Sequence, residues 1–333
     1  MDAPHTGFVA DSLDRRIISA LQIDGRASWH GIATALGEPE RTVVRRGTRL
    51  LDSGLVRIGA MAVRGRSTVI GVRCAPGQAR VVATALARRP DCAFVQVLTG
   101  TWDCVAEVQC PRDRLAGLVM DELPGLPGVV RTLTLPVLRH VRTIREWHAG
   151  LLTEAEISAL TGGAPPGTAP VSADVSSPFD GAGELSRADR LLVNALAEDG
   201  RCTFDELARV AGVSEATARR RLGALRRAGR VRVRAVIEPV LLGLPVEAVL
   251  WVRAVPAEVD AVTAALAESP HVRYVSFVTG ERQLLVLTAF PDEAALHDFV
   301  TRSSWLREAM SVDVSMVLGS LKRGGMLAPW LRD

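Results

Sequence analysis

Between Ser214 and Arg234 the chain carries eight arginines against a single acid, Glu215. A basic stripe of that density is the electrostatic footprint that a phosphate backbone requires. Its first part, Ser214 to Leu225, reads as a helix. Ser214 is a good N-cap, because its hydroxyl can accept from a free backbone N–H of the first turn. Ala218, Leu222 and Leu225 recur at helical spacing as a narrow apolar stripe, leaving Glu215, Ala216, Arg219, Arg220 and Arg226 on the other face. In a helix that enters the major groove, the early residues reach base edges while nearby arginines and the helix dipole hold phosphates. The chemistry on offer is therefore recognition. Glu215 would accept from cytosine N4, Arg219 and Arg220 would donate to guanine, and Thr217 would touch a phosphate or a thymine methyl. Arg221 has two open readings, DNA contact or pairing with an acid of a preceding helix.

The elements that must position these residues lie just upstream. Thr203 to Ala211 opens with a Thr-x-x-Glu capping box at Thr203 and Glu206 and closes at Gly212, which can adopt a left-handed turn. Two short helices joined through Gly212-Val213-Ser214 make a helix-turn-helix. The chain says this twice. Asp14 to Arg26 aligns without a gap on Asp189 to Arg201, and beyond it Gly37 stands for Gly212, Thr42 for Thr217, Arg45 and Arg46 for Arg220 and Arg221, and Leu50 for Leu225. Self-similarity of this length is duplication of a whole module. The DNA-facing set of the first copy is Arg41, Thr42, Arg45 and Arg46, with Arg46 as open to ion pairing as Arg221. Pro39 replaces Ser214 and removes the side-chain cap, and Gly47 costs a helix interior up to about 1 kcal/mol relative to alanine. The first recognition helix is expected to be the weaker.

The rest of the chain divides by the same repeat. The first reader spans 11–63, its strand from Leu55 to Val63 leaving as a wing or connector, as Val231 to Val236 does in the second copy. Residues 67–145 alternate as strand (Thr68 to Cys74), helix opened by Pro76 and running to Arg89, strand (Ala93 to Thr99), tight turn at Gly100, strand (Cys104 to Cys110), helix opened by Pro111, and a last strand within Val129 to Val141. That order, βαββαβ, is a ferredoxin-like sheet domain. An extra helix in 146–161 starts at a Thr153/Glu156 capping box. Residues 162–183, rich in Gly, Pro, Ala and Ser, read as a flexible linker reaching about 25 Å on average. A second reader (184–237) and a second sheet domain (245–323) follow. In the latter Pro256, Pro270, Thr279-Gly280 and Pro291 stand for Pro76, Pro90, Thr99-Gly100 and Pro111. The fold class is α+β, two winged helix-turn-helix domains each followed by a βαββαβ domain.

Composition excludes several functions. A net charge of +3 and 48% apolar residues belong to an ordinary globular chain, so the local stripe, not the total, argues for nucleic acid. The five cysteines are odd in number and show no metal spacing, so they read as reduced core thiols, with no metal and no cofactor expected. No leader and no long apolar run is evident, which points to the cytoplasm.

A helix-turn-helix followed by a strand and a βαββαβ domain resembles the Lrp/AsnC (feast/famine) family of transcriptional regulators. Leu207-Ala208, Gly212-Val213-Ser214, Thr217, Arg220-Arg221, Leu225 and Gly229 carry the resemblance in the second reader. In the first sheet domain Thr99-Gly100-Thr101-Trp102-Asp103 looks like the family's Gly-x-aromatic-Asp turn. The resemblance implies a bacterial or archaeal regulator of double-stranded DNA whose sheet domains (RAM, or ACT-like) pair face to face and bind effectors, commonly amino acids, between them. Thr99, Gly100, Trp102 and Asp103 are then the effector candidates: Gly100 for close backbone approach, Trp102 as a cover, Asp103 as an acceptor for an α-ammonium group. The second copy has Gly280-Glu281-Arg282-Gln283 in place of that aspartate. With two copies in one chain, self-association is expected as an intrachain pseudo-dimer, or as a homodimer or higher. Haem-precursor (siroheme) decarboxylases resemble the same architecture and set the enzyme alternative. Its only candidate cluster is His271, Arg273 and Tyr274, and no nucleophile–base pair or phosphate loop appears elsewhere, so a non-enzyme is expected. A sensor whose readers have lost DNA binding is the third class.

Overall fold

The computed structural model describes residues 8–62, 66–161 and 185–331. Val63 and the linker expected at 162–183 lie outside them. The chain divides into two compact units, by kind of module instead of by copy: both readers with the extra helix form one, both sheet domains the other.

In the reader unit, α1 (Ser12–Ile23), α2 (Trp29–Leu36) and α3 (Glu40–Asp52) make the first helix-turn-helix, and α7 (Arg187–Glu198), α8 (Phe204–Ala211) and α9 (Glu215–Arg227) the second. The caps are those the sequence predicts. Thr203 and Glu206 close their capping box, and Gly37 and Gly212 end their helices at φ +66° and +65°. Ala218, Leu222 and Leu225 are buried. The extra helix α6 (Glu154–Thr161) packs on α1 and α2, where Arg16 bonds Glu156 at 2.6 Å, Leu36 O at 2.9 Å and Glu38 at 3.2 Å.

The expected wings behave differently. β1 (Arg57–Ala62) and β6 (Val231–Val236) pair with each other, antiparallel, from Arg57–Val236 to Ala62–Val231. Each satisfies the other's backbone groups, so the readers share a two-stranded ribbon. Gly25 N–H donates to Val233 O at 3.0 Å and Gly200 N–H to Ile58 O at 2.9 Å, threading the end of each first helix into the other copy's strand.

Gly47 also needs correction. A Cβ built there would lie 2.2 Å from Cζ3 of Trp29, so glycine is the residue that lets the indole seat flush against α3. What the sequence reads as a propensity penalty is a packing requirement. Position 47 is the counterpart of Leu222 and Trp29 that of Phe204.

In the sheet unit the first domain comprises β2 (Ser67–Cys74), α4 (Ala79–Arg88), β3 (Cys92–Leu98), β4 (Cys104–Gln109), a one-turn α5 (Leu115–Gly117) and β5 (Val129–Arg142). The second comprises β7 (Val246–Ala254), α10 (Val259–Glu268), β8 (Val272–Val278), β9 (Leu284–Phe290), α11 (Glu293–Arg302) and β10 (Ala309–Arg323), with a short return strand β11 (Met326–Leu327). Pro76 does not open a helix. It sits in a turn with Gly77 at φ +77°, and α4 starts at Ala79. The helix expected after Pro111 is broken into a 3-10 turn, α5 and a π turn over Arg112–Glu122, whereas α11 is regular. Asp292 caps α11 by accepting from Ala295 N–H, and the guanidinium of Arg112 at the same place has no acceptor to offer.

The long last strand of each domain is shared. β5 pairs with β2 of its own copy and β8 of the other, and β10 with β7 and with β3, all antiparallel. The order β10-β3-β4-β2-β5-β8-β9-β7 therefore closes on itself as an eight-stranded barrel. The pairing of sheet domains is realised within one chain. One apolar layer lies under α4, around Ile70, Leu86 and Val108, and another under α10 and α11, around Leu250, Leu266 and Phe290. A third, around Val69, Phe94, Trp102, Trp251 and Leu285, joins the two domains. Cys92, Cys104 and Cys110 are buried in the first layer, and burial pushes the Cys92 thiol up to about 12, as expected of inert core thiols.

Candidate nucleic-acid interface and effector turn

α9 begins as the sequence predicts. Ser214 Oγ accepts from Thr217 N–H at 3.2 Å and lies 2.9 Å from the Thr217 hydroxyl. Three of its arginines are already engaged. Arg219 bonds Glu215 at 2.8 Å and lies 4.2 Å over the Phe204 ring, Arg221 bonds Asp189 at 3.2 Å, and Arg226 bonds Asp24 of the first reader at 3.0 Å. Arg220 and Arg227 are exposed, with no ion-pair partner among the described residues. Arg221 thus makes the ion pair with an acid of a preceding helix that one of its two readings calls for.

α3 repeats the arrangement with its own partners. Pro39 supplies no side-chain cap. Arg46 bonds Asp11 at 2.6 Å and Asp14 at 3.0 Å, and Arg49 also reaches Asp14 at 2.8 Å. The Asp14 N–H and the Arg46 guanidinium hold the Asp11 carboxyl below its ordinary value. His30 lies 2.9 Å from Glu40. Arg41, Val44, Arg45 and Thr48 are exposed, and Thr42 is half-buried. Among the described residues each recognition helix therefore presents two exposed arginines with no ion-pair partner, Arg41 and Arg45 on α3 against Arg220 and Arg227 on α9. Arg221 and Arg226 are paired with acids distant in sequence, Asp189 and Asp24, which a local charge count cannot see. Thr48, Ala224 and Arg227 share the exposed faces and are missing from the set read from the sequence. Continuing its spacing by one more turn would have found them.

The effector candidates are drawn together but tied down. Gly100 turns at φ +93°, and its carbonyl and that of Thr101 each accept from Arg73 Nη1 at 2.8 Å. Thr99 exchanges bonds with Met316 through N–H (2.9 Å) and Oγ1 (3.0 Å). Trp102 is buried against Gly71, where a Cβ would sit 3.0 Å from its ring, with the Arg131 guanidinium 5.7 Å above it. Asp103 Oδ2 accepts from Cys74 N–H at 2.8 Å. Gln283 serves the same strand end in the second copy, bonding Ala254 N–H at 3.2 Å. Asp103 and Gln283 are thus equivalent clamps between paired strands, while Thr99, Gly100 and Thr101 remain exposed.

His271, Arg273 and Tyr274 are not one cluster. A register shift between Val272 and Tyr274 sends them to different places. His271 Nδ1 lies 3.0 Å from Ala289 O, and its ring stacks on Phe290. The buried Arg273 bonds Glu247 at 2.5 Å, alongside the buried Arg323 at 2.6 and 2.8 Å. Burial alone would raise the Glu247 carboxyl, and the two guanidiniums outweigh it, holding it below its ordinary value. Tyr274 enters the layer between the domains, its ring 5.8 Å from Phe94 and 5.6 Å from His140, whose Nε2 is 3.8 Å from Glu107.

Comparison with known proteins fits this division. The AsnC-type helix-turn-helix domain matches residues 11–51 and again 185–226, and the Lrp/AsnC ligand binding domain matches 67–146 and 247–327. Uncharacterized HTH-type transcriptional regulators of Pyrococcus horikoshii (31% identical over 143 residues, 43% of this chain and 90% of that one) and Pyrococcus furiosus (34% over 131 residues, 37% and 88%) resemble one half at a time. Over the full length the chain is similar to the crystal structure of the siroheme decarboxylase NirDL, with TM-score 0.58 at 14% identity, covering 94% of this chain and 93% of that one. At that identity the likeness is one of fold. Among the described residues no helix is long and apolar enough to cross a membrane.

Proposed function

We propose, for a chain that belongs to the Lrp/AsnC family with both of its modules duplicated, that it is a cytoplasmic, sequence-specific DNA-binding transcriptional regulator and not an enzyme. The observation that carries this is the pair of capped or proline-started helices, each exposing two unpaired arginines beside short side chains on its outer face. Short residues let a helix approach base edges, and unpaired arginines retain their full attraction for phosphate and guanine. Because Arg41, Val44 and Arg45 differ from Ala216, Arg219 and Arg220, the two half-sites should differ as well, and the operator should not be a true palindrome. Selection of sites from a random duplex library, followed by gel-shift titration, tests the reading. Arg220→Ala and Arg45→Ala should each weaken specific binding by about 1–3 kcal/mol for every base edge that the arginine reads. No enrichment by the wild-type chain, or undiminished binding by both variants, would overturn it.

The effector part of the proposal is a small molecule such as an amino acid acting at the first sheet domain, where Thr99, Gly100 and Thr101 are exposed and Asp103 stands half-buried behind them. Calorimetric titration of amino acids into wild type, Asp103→Ala and Gln283→Ala tests it. The expected result is loss of affinity from Asp103→Ala alone. Loss from Gln283→Ala alone assigns the sensor to the other half.

A further inference from the structure

The repeated triplets Asp24-Gly25-Arg26 and Asp199-Gly200-Arg201 play no part in the recognition set, yet they lie where the two readers meet. Arg26 Nη1 donates to Gly200 O at 2.7 Å and Cys202 O at 2.9 Å of the second reader. Arg201 returns the arrangement, donating from Nη1 to Gly25 O at 3.1 Å and from Nη2 to Ala27 O at 3.1 Å. Each guanidinium also lies over an aromatic ring of the opposite reader, Arg26 at 4.9 Å over Phe204 and Arg201 at 4.6 Å over Trp29. Those rings in turn abut the recognition helices. Trp29 seats on Gly47 of α3, and Phe204 carries Arg219 of α9. The glycines allow the approach: a Cβ on Gly25 would fall 2.7 Å from Ile58 Cγ2, and one on Gly200 2.6 Å from the same atom. The aspartates pin the turns, Oδ1 of Asp24 and of Asp199 accepting from Arg26 N–H at 2.9 Å and Arg201 N–H at 2.8 Å, and Asp24 Oδ2 adds the bond from Arg226.

We infer that the two Asp-Gly-Arg segments are a reciprocal joint that fixes the separation and phase of the two recognition helices, making Arg26 and Arg201 positioning residues that set which half-site spacing the chain accepts. The inference rests on the DNA-binding reading above. A guanidinium that bonds two carbonyls and stacks on a ring holds direction as well as distance, which an ammonium cannot do. Rigid coupling of two readers multiplies affinity only at spacings where both engage together, and a half-turn error of the duplex disengages the second reader.

The test uses the full-length chain and duplexes derived from its own library-selected site, with one to five base pairs inserted between the half-sites. The wild type should prefer its selected spacing by about tenfold or more over a five-base-pair insertion. Arg26→Ala/Arg201→Ala should reduce that preference to about threefold or less while changing affinity for an isolated half-site by less than about twofold. Arg26→Lys/Arg201→Lys keeps both charges and is the milder variant should the alanine pair fail to fold. It too should lose spacing discrimination, with an unchanged salt dependence of binding. Discrimination retained in the lysine pair overturns the joint, as does a loss confined to overall affinity. Failure of the wild type to select any DNA removes the parent reading and the joint with it, whereas selection without spacing preference removes the joint alone.

Discussion

The two halves of the chain solve the same packing problems with large and small residues exchanged between positions. In the first reader the large ring is Trp29 and the facing helix residue is Gly47, and in the second the equivalent positions hold Phe204 and the buried Leu222. In the first barrel half, Trp102 comes from the turn to lie on Gly71. In the second, the position of Gly71 is held by Trp251 and that of Trp102 by Arg282, which leaves the interior to pair with Asp313. An indole reaches the shared layer from both halves, once from the turn and once from the strand. Interiors conserve volume more strictly than they conserve which position supplies it. The duplicated modules are therefore no longer interchangeable, and each residue must be judged with its facing partner.

The largest test of that divergence is the carboxylate that the second half holds between two buried arginines. Glu247 sits between Arg273 and Arg323, while its counterpart is the buried Ser67. Glu247→Gln removes the carboxylate between the two buried guanidiniums and should cost about 3–5 kcal/mol in urea unfolding. Ser67→Ala should cost less than about 1 kcal/mol. The sign with pH follows from a carboxyl held below its usual 4.5 in the folded chain. Its stabilisation is complete above that value and is lost as pH falls through the folded value, so the gap between wild type and Glu247→Gln should close on acidification. A gap that widened would contradict the pairing.

Next comes volume exchange in the readers. Gly47→Leu forces a side chain into Trp29 and should cost about 1–3 kcal/mol, and adding Trp29→Phe, which recreates the pair found in the second reader, should restore part of it. If the double variant is no more stable than the single, the two positions are not compensating. The smallest expected effect is at the caps. Ser214→Ala should cost about 1 kcal/mol, and Pro39→Ser should stabilise the first recognition helix by a fraction of that, read as amide-exchange protection in α9 and α3. Equal protection of both helices in the unmodified chain would remove the cap difference as a cause of asymmetry.

Features written in local chemistry were legible in the sequence. The caps at Thr203 and Ser214, the turns at Gly37, Gly100 and Gly212, and the duplication all rest on residues whose role is set by their own backbone. Features that depend on a distant partner were not. β1 and β6 alternate like any strand, and nothing in either says that its mate is the other. Arg219 and Arg226 look free until Phe204 and Asp24 are placed beside them. Asp103 is a plausible ammonium acceptor by type, yet its carboxylate already holds Cys74 N–H, a bond across two strands that spacing cannot disclose. The register shift that separates His271, Arg273 and Tyr274 is likewise invisible to a count of alternating residues.

The shared strands of the barrel have a consequence during synthesis. β5 emerges with the first half, but its partner β8 follows only about 130 residues later, a wait of roughly 7–26 s at ordinary elongation rates. Throughout that interval the nascent chain carries an unmatched strand edge able to accept any extended segment from a neighbouring ribosome. The part of β5 destined for β8 contains Arg139, His140 and Arg142, and Pro136 lies just before it. These residue types discourage foreign pairing at a nascent edge, and they make the order in which the two halves are translated part of how the barrel closes.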